Sequence, residues 1–351
     1  MCVKVSKIEG EKTIILASKL KILNRNLEIQ SDGKFVYVPL AGQLSEHALD
    51  IIKQQVAPLE VTSLLFPQRK KPKKSLLELL EDKFPPHLLA SLPRAVDVVG
   101  DIAIVEIPPE HDSNRTLIGE AVLQAYQNVH TVLAKAGPVS GTYRLREFDV
   151  IAGEAKTETI HKEYGCRYYV DVAKAYFSPR LSYEHKRVTS LVNEGETIVD
   201  FFAGVGPFAV QIAKTHENVK VYAVDLNPDA VEYLRKNVRL NRVMTKVQPI
   251  LGDARQIVKE RLSGVADRVI MNLPEKAMDY VDVACKATKP TGGTIHFYSF
   301  INASASVEKI RESFAAAVEK SERKVEKVLS TRCVRETAPY EYQAVLDVKI
   351  Y

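Results

Sequence analysis

Cysteine is scarce in this chain. The four present (Cys2, Cys166, Cys285 and Cys333) lie far apart, with no Cys-x-x-Cys and no nearby paired histidines. That excludes a disulfide framework and a cysteine-ligated zinc site, and no metal is expected; the thiols read as reduced, small apolar residues. Long apolar runs are missing too, so no segment reads as a bilayer span. Met1 to Lys12 lacks the apolar core of a signal peptide, and a cytosolic location is expected. Charge of one sign is not in excess either. With 49 basic residues against 44 acidic ones the net charge is +5, so a nucleic-acid partner has to show in local clusters. Neither an internal repeat nor a low-complexity tract is present, which excludes a solenoid.

What the chain does have is a strand, loop and helix with a carboxylate at each bend. Thr197-Ile198-Val199-Asp200 is a β-branched run, Phe201 to Gly206 a small-residue loop, and Pro207-Phe208 the opening of an apolar helix. A second run, Lys220 to Val224, ends in Asp225. This is the layout of a nucleotide-type cofactor site in a doubly wound sheet, where a carboxylate closing the second strand accepts bonds from ribose hydroxyls. The loop is Ala203-Gly204-Val205-Gly206-Pro207 rather than Gly-x-Gly-x-x-Gly, and Asp200 stands at its mouth. A carboxylate there repels a pyrophosphate and suits the ammonium of a methionine moiety, which points to S-adenosylmethionine rather than NAD. Leu251-Gly252-Asp253-Ala254 and Met271-Asn272-Leu273-Pro274 follow a third and a fourth strand, again placing polar groups where open α/β sheets bind ligands.

At 351 residues, two or three domains are expected. Residues 1–65 read as a small α+β unit, with strands at Lys12–Ala17 and Lys34–Pro39 and a helix from Ser45, its N-cap, to Gln55. Residues 66–74 form a linker with five positive charges in its last six positions. Residues 75–172 read as a second α/β unit. It has a helix opening at Leu76, a hairpin across Gly100-Asp101 and a long helix from Ser113 to Ala136. Strand-like segments follow at 142–152, 157–163 and 167–172. Residues 173–351 alternate strands with helices near 179–192, 207–215, 228–240 and 304–322. They end in an antiparallel pair, 327–334 with 340–350. The fold class expected is α/β, a doubly wound and mostly parallel sheet with an antiparallel C-terminal hairpin, preceded by two smaller α+β domains.

Two constellations precede the glycine loop: Tyr143-Arg144-Leu145-Arg146, and Tyr176-Phe177-Ser178-Pro179-Arg180 running on to Glu184. In the second, Ser178 reads as a helix cap with Pro179 in the first turn. Asn272 offers both amide donors and a carbonyl acceptor to a planar base. The Asn-Pro-Pro-Tyr motifs of amino-methylating enzymes accept bonds from an attacking amine; Leu273, and the lack of an aromatic after Pro274, depart from that pattern and argue against an exocyclic amine as nucleophile.

In this order, these motifs closely resemble those of the archaeal and eukaryotic tRNA (guanine-N1)-methyltransferases that modify position 37. The resemblance is dense over 140–275. It implies a class I methyltransferase domain at 173–351, a middle tRNA-binding domain, and a small N-terminal domain touching the outer corner of the tRNA. It implies S-adenosylmethionine as cofactor and tRNA as partner, with no membrane and no obligate protein partner, the chain acting as a monomer. Guanine N1 carries a proton, so the reaction needs a base near N1 and a positive donor near O6. The resemblance assigns Glu184 as base, Arg144 to O6 and Asn272 to the guanine edge. Tyr176 would stack on the extruded base, with Arg146 and Pro274 as further substrate contacts. Asp225 would take the ribose, Asp253 the adenine amine, and the Ala203–Gly206 backbone, including Gly204 and Val205, the methionine portion. Arg180, Asp200, Phe202, Leu226, Ala254 and Asn272 complete the cofactor set. The alternatives are aminocarboxypropyl transfer onto a tricyclic guanine derivative, a dual-specificity methyltransferase acting on that derivative as well, and a non-catalytic tRNA-binding protein.

Overall fold

The alternating apolar runs of residues 197–302 form a parallel sheet in the computed structural model. It describes all residues except 42–45, 69–74, 94 and 303–306, and, among side chains, also omits those at 46, 47 and 49. Seven strands make this sheet, numbered here in chain order: β1 Thr197–Asp200, β2 Lys220–Asp225, β3 Val247–Leu251, β4 Arg268–Met271, β5 Gly293–Asn302, β6 Val325–Ala338 and β7 Glu341–Ile350. Their order across the sheet is 3-2-1-4-5-7-6, with β1 to β5 parallel and β7 antiparallel to both β5 and β6.

Successive side chains of a strand point to opposite faces, so strands buried on both sides must be apolar throughout. Ile198, Ala223 and Ile270 join one core, with Phe208, Ile212, Leu234 and Val238 from the helices Pro207–Thr215 and Pro228–Leu240. Their strand neighbours Val199, Val224 and Met271 join the other, with Val281, Ala284, Phe314 and Val318. The polar residues at the ends of these strands therefore collect along one edge: Asp200 closing β1, Asp225 closing β2, Gly252-Asp253 after β3 and Asn272 after β4. The C-terminal hairpin reaches the same edge. Its register sets Gln343 opposite Phe300 on one side and Arg335 on the other, next to a bulge between Cys333 and Arg335.

The chain divides into two compact units, Met1–Lys74 and Ser75–Tyr351. Within the second, a four-stranded sheet (Val96–Val99, Ile102–Val105, Thr131–Lys135, Phe148–Gly153) and a two-stranded ribbon (Glu158–Glu163 with Cys166–Asp171) precede the parallel sheet. Tyr168, Val170, Ile102 and Leu133 share one continuous core with Phe208 and Ile212, so packing runs across residue 172. The long helix expected over 113–136 is not formed. A 3-10 turn at Pro109–Asn114 leads into a helix of Arg115–Ala125, and Thr131–Lys135 instead pairs parallel with Ile102–Val105. Thr131-Val132-Leu133-Ala134 is buried on both faces, and sheet pairing overrides the helical pattern there. The helix Leu76–Leu80 does open as expected, with Ser75 as its N-cap and Glu78 completing a capping box.

In the N-terminal unit, a four-stranded sheet carries two helices, Lys7–Lys19 and Glu46–Gln55. The strand expected at 12–17 is a helix. Gly10, Thr13 and Ala17 share a buried face at helical spacing, and Gly10 lies so close to Val36 that a side chain there would collide. Ser45 and the basic run 69–74 lie outside the described residues.

Candidate active site

The strand ends, the helix starting at Ser182 and the C-terminal hairpin enclose a cleft within the second unit. At one end, the Asp225 carboxylate accepts bonds from the Gly204 N–H (2.6 Å) and the Asn227 N–H (2.9 Å), which hold it at the rim beside Leu226. Burial pushes this carboxyl above its ordinary range, against the pull of those two N–H groups. Asp253 and Ala254 line the next stretch with Gly252, and the Asp253 carboxylate caps its own short helix by accepting from Arg255 N–H at 2.8 Å. Tyr280 stands edge-on to Phe202 at 5.0 Å, with the Arg255 guanidinium 3.7 Å above its ring. Flat apolar walls and a fixed carboxylate fit an adenosine.

Asp200 lies behind the loop rather than on the cleft wall. It is fully buried; Oδ1 takes a long bond from Phe202 N–H (3.4 Å), and Oδ2 has no partner. Burial and the neighbouring Asp225 raise its pKa to about 8. An orphaned buried carboxyl oxygen beside a glycine loop fits a cationic ligand group. Val205 and Gly206 are also off the wall. Val205 is core, and Gly206 (φ +91°) adopts the left-handed conformation with Leu234 packed where a Cβ would sit, so it serves helix packing. Of the loop, Phe201, Phe202, Ala203 and Gly204 line the cleft.

At the other end stand Arg144, Tyr176, Asn272 and Pro274, four residues expected at the acceptor side, together with Leu273. Arg144 adopts φ +58° in a tight turn after Gly141. Its guanidinium lies 5.3 Å over the Tyr176 ring and pairs with Glu275 at 2.6 Å. Such left-handed, non-glycine backbone is held only where surroundings enforce it, and it is common at functional sites. Arg146 lies in an adjoining groove and donates to the Gly137 carbonyl, while Arg180 pairs with Asp97 at 2.6 Å in that groove, away from the cofactor end. The Ser178 hydroxyl does not cap the following helix; it accepts from Arg335 instead.

Glu184 is the largest departure from expectation. His185 of its helix and Leu181 just before it line the cleft, whereas Glu184 is 1% exposed behind them. Tyr298 donates to Oε1 at 2.7 Å, and Arg187 grips both oxygens at 2.7 and 2.9 Å. Arg187 is held in turn by Asp347, which also meets His296 and is kept well below the usual carboxylate range by these partners despite its burial. Sequence reasoning missed Arg335 and Gln343 altogether. They lie more than 60 residues beyond Asn272, on a hairpin with no motif, and only the strand register brings them to the cleft.

Three family models match this chain: the TRM5/TYW2 methyltransferase domain over residues 159–326, the TYW2 N-terminal domain over 76–157 and the tRNA methyltransferase 5 N-terminal domain over 2–48. The chain is 38% identical over 357 residues to the tRNA (guanine(37)-N(1))-methyltransferase Trm5b of Pyrococcus abyssi, covering all of this chain and 99% of that one. The tRNA 4-demethylwyosine(37)-methyltransferase Taw21 of Saccharolobus solfataricus is 34% identical over 277 residues, 79% of this chain and 99% of its own. Among solved structures, the complex of aTrm5 with tRNALeu superposes with a TM-score of 0.70 at 35% identity, covering all of both chains. Matched in this way from end to end, the chain belongs to the TRM5/TYW2 methyltransferases and, among them, to the tRNA (guanine(37)-N(1))-methyltransferase family.

Proposed function

We propose that this enzyme transfers the methyl group of S-adenosylmethionine to N1 of guanine 37 in tRNA. The observation that carries the reading is the convergence of Arg144, Tyr176 and Asn272-Leu273-Pro274 at the end of the cleft opposite Asp225 and Asp253. Bound there, S-adenosylmethionine supplies an electrophilic methyl that needs no metal. The chain's own residues supply the rest. Tyr176 and Pro274 give the extruded base flat faces, Asn272 holds its edge, and the Arg144 fork meets the charge that develops on O6 as N1 loses its proton. Glu184 is the acceptor of that proton. To reach the base it has to leave the clamp of Arg187 and Tyr298, and unliganded geometry often lacks the bond that forms in the productive complex. The adjoining groove carries Lys135, Arg146 and Arg180, a path suited to phosphates. Methyl transfer to transcripts with guanosine or adenosine at position 37 tests the reading. Transfer to guanosine alone is expected, and equal transfer to both would refute it.

The dual-specificity reading keeps one observation in its favour, the similarity to Taw21, but that match leaves about a fifth of the chain uncovered. Monomeric action in the cytoplasm belongs to the same proposal, since one chain supplies every residue assigned. Among the described residues, no helix is long and apolar enough to cross a membrane.

The carboxyl of Asp200 gives a pH prediction. With a folded-state pKa raised to about 8, it is protonated at neutral pH, and the stability it allows the free protein is lost as pH rises through that value. An ammonium placed at Oδ2 would favour the carboxylate. Binding of S-adenosylmethionine at pH 7 is therefore expected to release about one proton from this group, and to tighten as pH approaches 8. Calorimetry in buffers of different ionisation enthalpy reads the release; none would mean that Asp200 does not meet the ammonium.

We further propose that residues 1–65 are a tRNA-contacting domain, residues 66–74 a basic linker, 75–172 a tRNA-binding domain and 173–351 the catalytic domain. The N-terminal unit has its own core of Val3, Val5, Val38 and Ile52. Deleting residues 1–65 is expected to leave a folded, cofactor-binding protein with weaker tRNA binding in a filter or gel-shift titration. A truncated protein that fails to fold would assign this unit a purely structural part.

A further inference from the structure

A relay of side chains runs from the C-terminal hairpin into the acceptor end of the cleft. Arg335 donates through Nε to Gln343 Oε1 at 2.9 Å, through Nη1 to Ser178 Oγ at 2.8 Å and through Nη2 to Tyr176 Oη at 2.9 Å. Gln343, 1% exposed, donates through Nε2 to Asn272 Oδ1 at 2.9 Å. The direction of this relay follows from chemistry. A guanidinium has donors and no acceptor, so Gln343 must turn its oxygen to Arg335 and its NH2 to Asn272. Asn272 must then meet that NH2 with its own oxygen. Its NH2 is left for the base. Reversing the Asn272 amide would set its NH2 against the NH2 of the buried Gln343, and the bond between them would be lost.

We infer that Arg335 and Gln343 are positioning residues that lock Asn272 with its NH2 toward the base, so that the site accepts a ring with an acceptor at that edge, as guanine has at O6, and rejects one with an amine there, as adenine has. Asparagines that receive an attacking amine must present the oxygen, the opposite orientation. The same guanidinium holds the Tyr176 hydroxyl, so platform and edge contact are set by one group.

This inference rests on the guanine reading, and the experiment separates the two. Gln343→Glu keeps the bond to Arg335 but turns an acceptor to Asn272, which then reverses and shows its oxygen to the base. Single-turnover methylation at saturating tRNA is expected to fall ~10–100-fold, the scale of one mismatched buried hydrogen bond. In an Asn272→Ala background the same change should cost less than about twofold, because the residue it acts through is gone. Thermal melting and S-adenosylmethionine binding report folding. Should the glutamate variant not fold, Gln343→Met removes the relay without charge and enters the same cycle. Losses that add to those of Asn272→Ala, or a wild-type rate in Gln343→Glu, would overturn the lock. A wild-type enzyme that leaves guanosine 37 unmodified would instead overturn the reading beneath it, and the lock with it.

Discussion

Glu184→Gln is expected to lower the single-turnover methylation rate at saturating tRNA and cofactor by ~10²–10⁴-fold, the usual worth of a positioned general base. Binding of tRNA and of S-adenosylmethionine should change little, because the loss falls on the transition state. The fold should tolerate the change. Arg187 keeps two bonds to Asp347, at 2.6 and 3.2 Å, so removing the Glu184 charge does not strand a buried guanidinium. The misfit of an amide NH2 against the donors of Arg187 and Tyr298 costs about 1–3 kcal/mol. If Glu184 only braces its helix against β5, the variant would melt earlier yet turn over normally once folded. Tyr298→Phe is the companion test. It removes one donor from the clamp and leaves the acid, so the rate should hold or rise.

Arg144→Ala should lower the same rate by about 10²–10³-fold, comparable to losing an oxyanion-hole donor. Arg144→Lys keeps the charge but not the planar fork that stacks on Tyr176, and should recover only part of the loss. The competing role is a phosphate contact. That would appear as salt-dependent weakening of tRNA binding, with the rate restored at saturation.

Most of the catalytic fold was legible because a parallel sheet buried on both faces leaves continuous apolar runs, and because each strand end at the cleft carries a polar residue. Where the pattern misled, the cause was tertiary. The run Lys12–Ala17 is β-branched and apolar enough for a strand, but its burial follows a helical face against Val36. Residues 131–135 read as the tail of a helix until a neighbouring strand is there to pair with. The site shows the same division. Asp225, Asn272 and Tyr176 lie close to their motifs and reach the cleft, whereas the burial of Asp200 and the clamp on Glu184 depend on what packs behind them. Arg335 and Gln343 left no local signal, since their place is decided by hairpin register.

Nucleoside analysis of the methylated tRNA tests the central claim most directly. After incubation with the enzyme and S-adenosylmethionine, complete digestion and mass-resolved chromatography should give 1-methylguanosine, mapped by fragment analysis to position 37. A methyl group on an exocyclic amine or at another position, or the larger mass of an aminocarboxypropyl group, would contradict it.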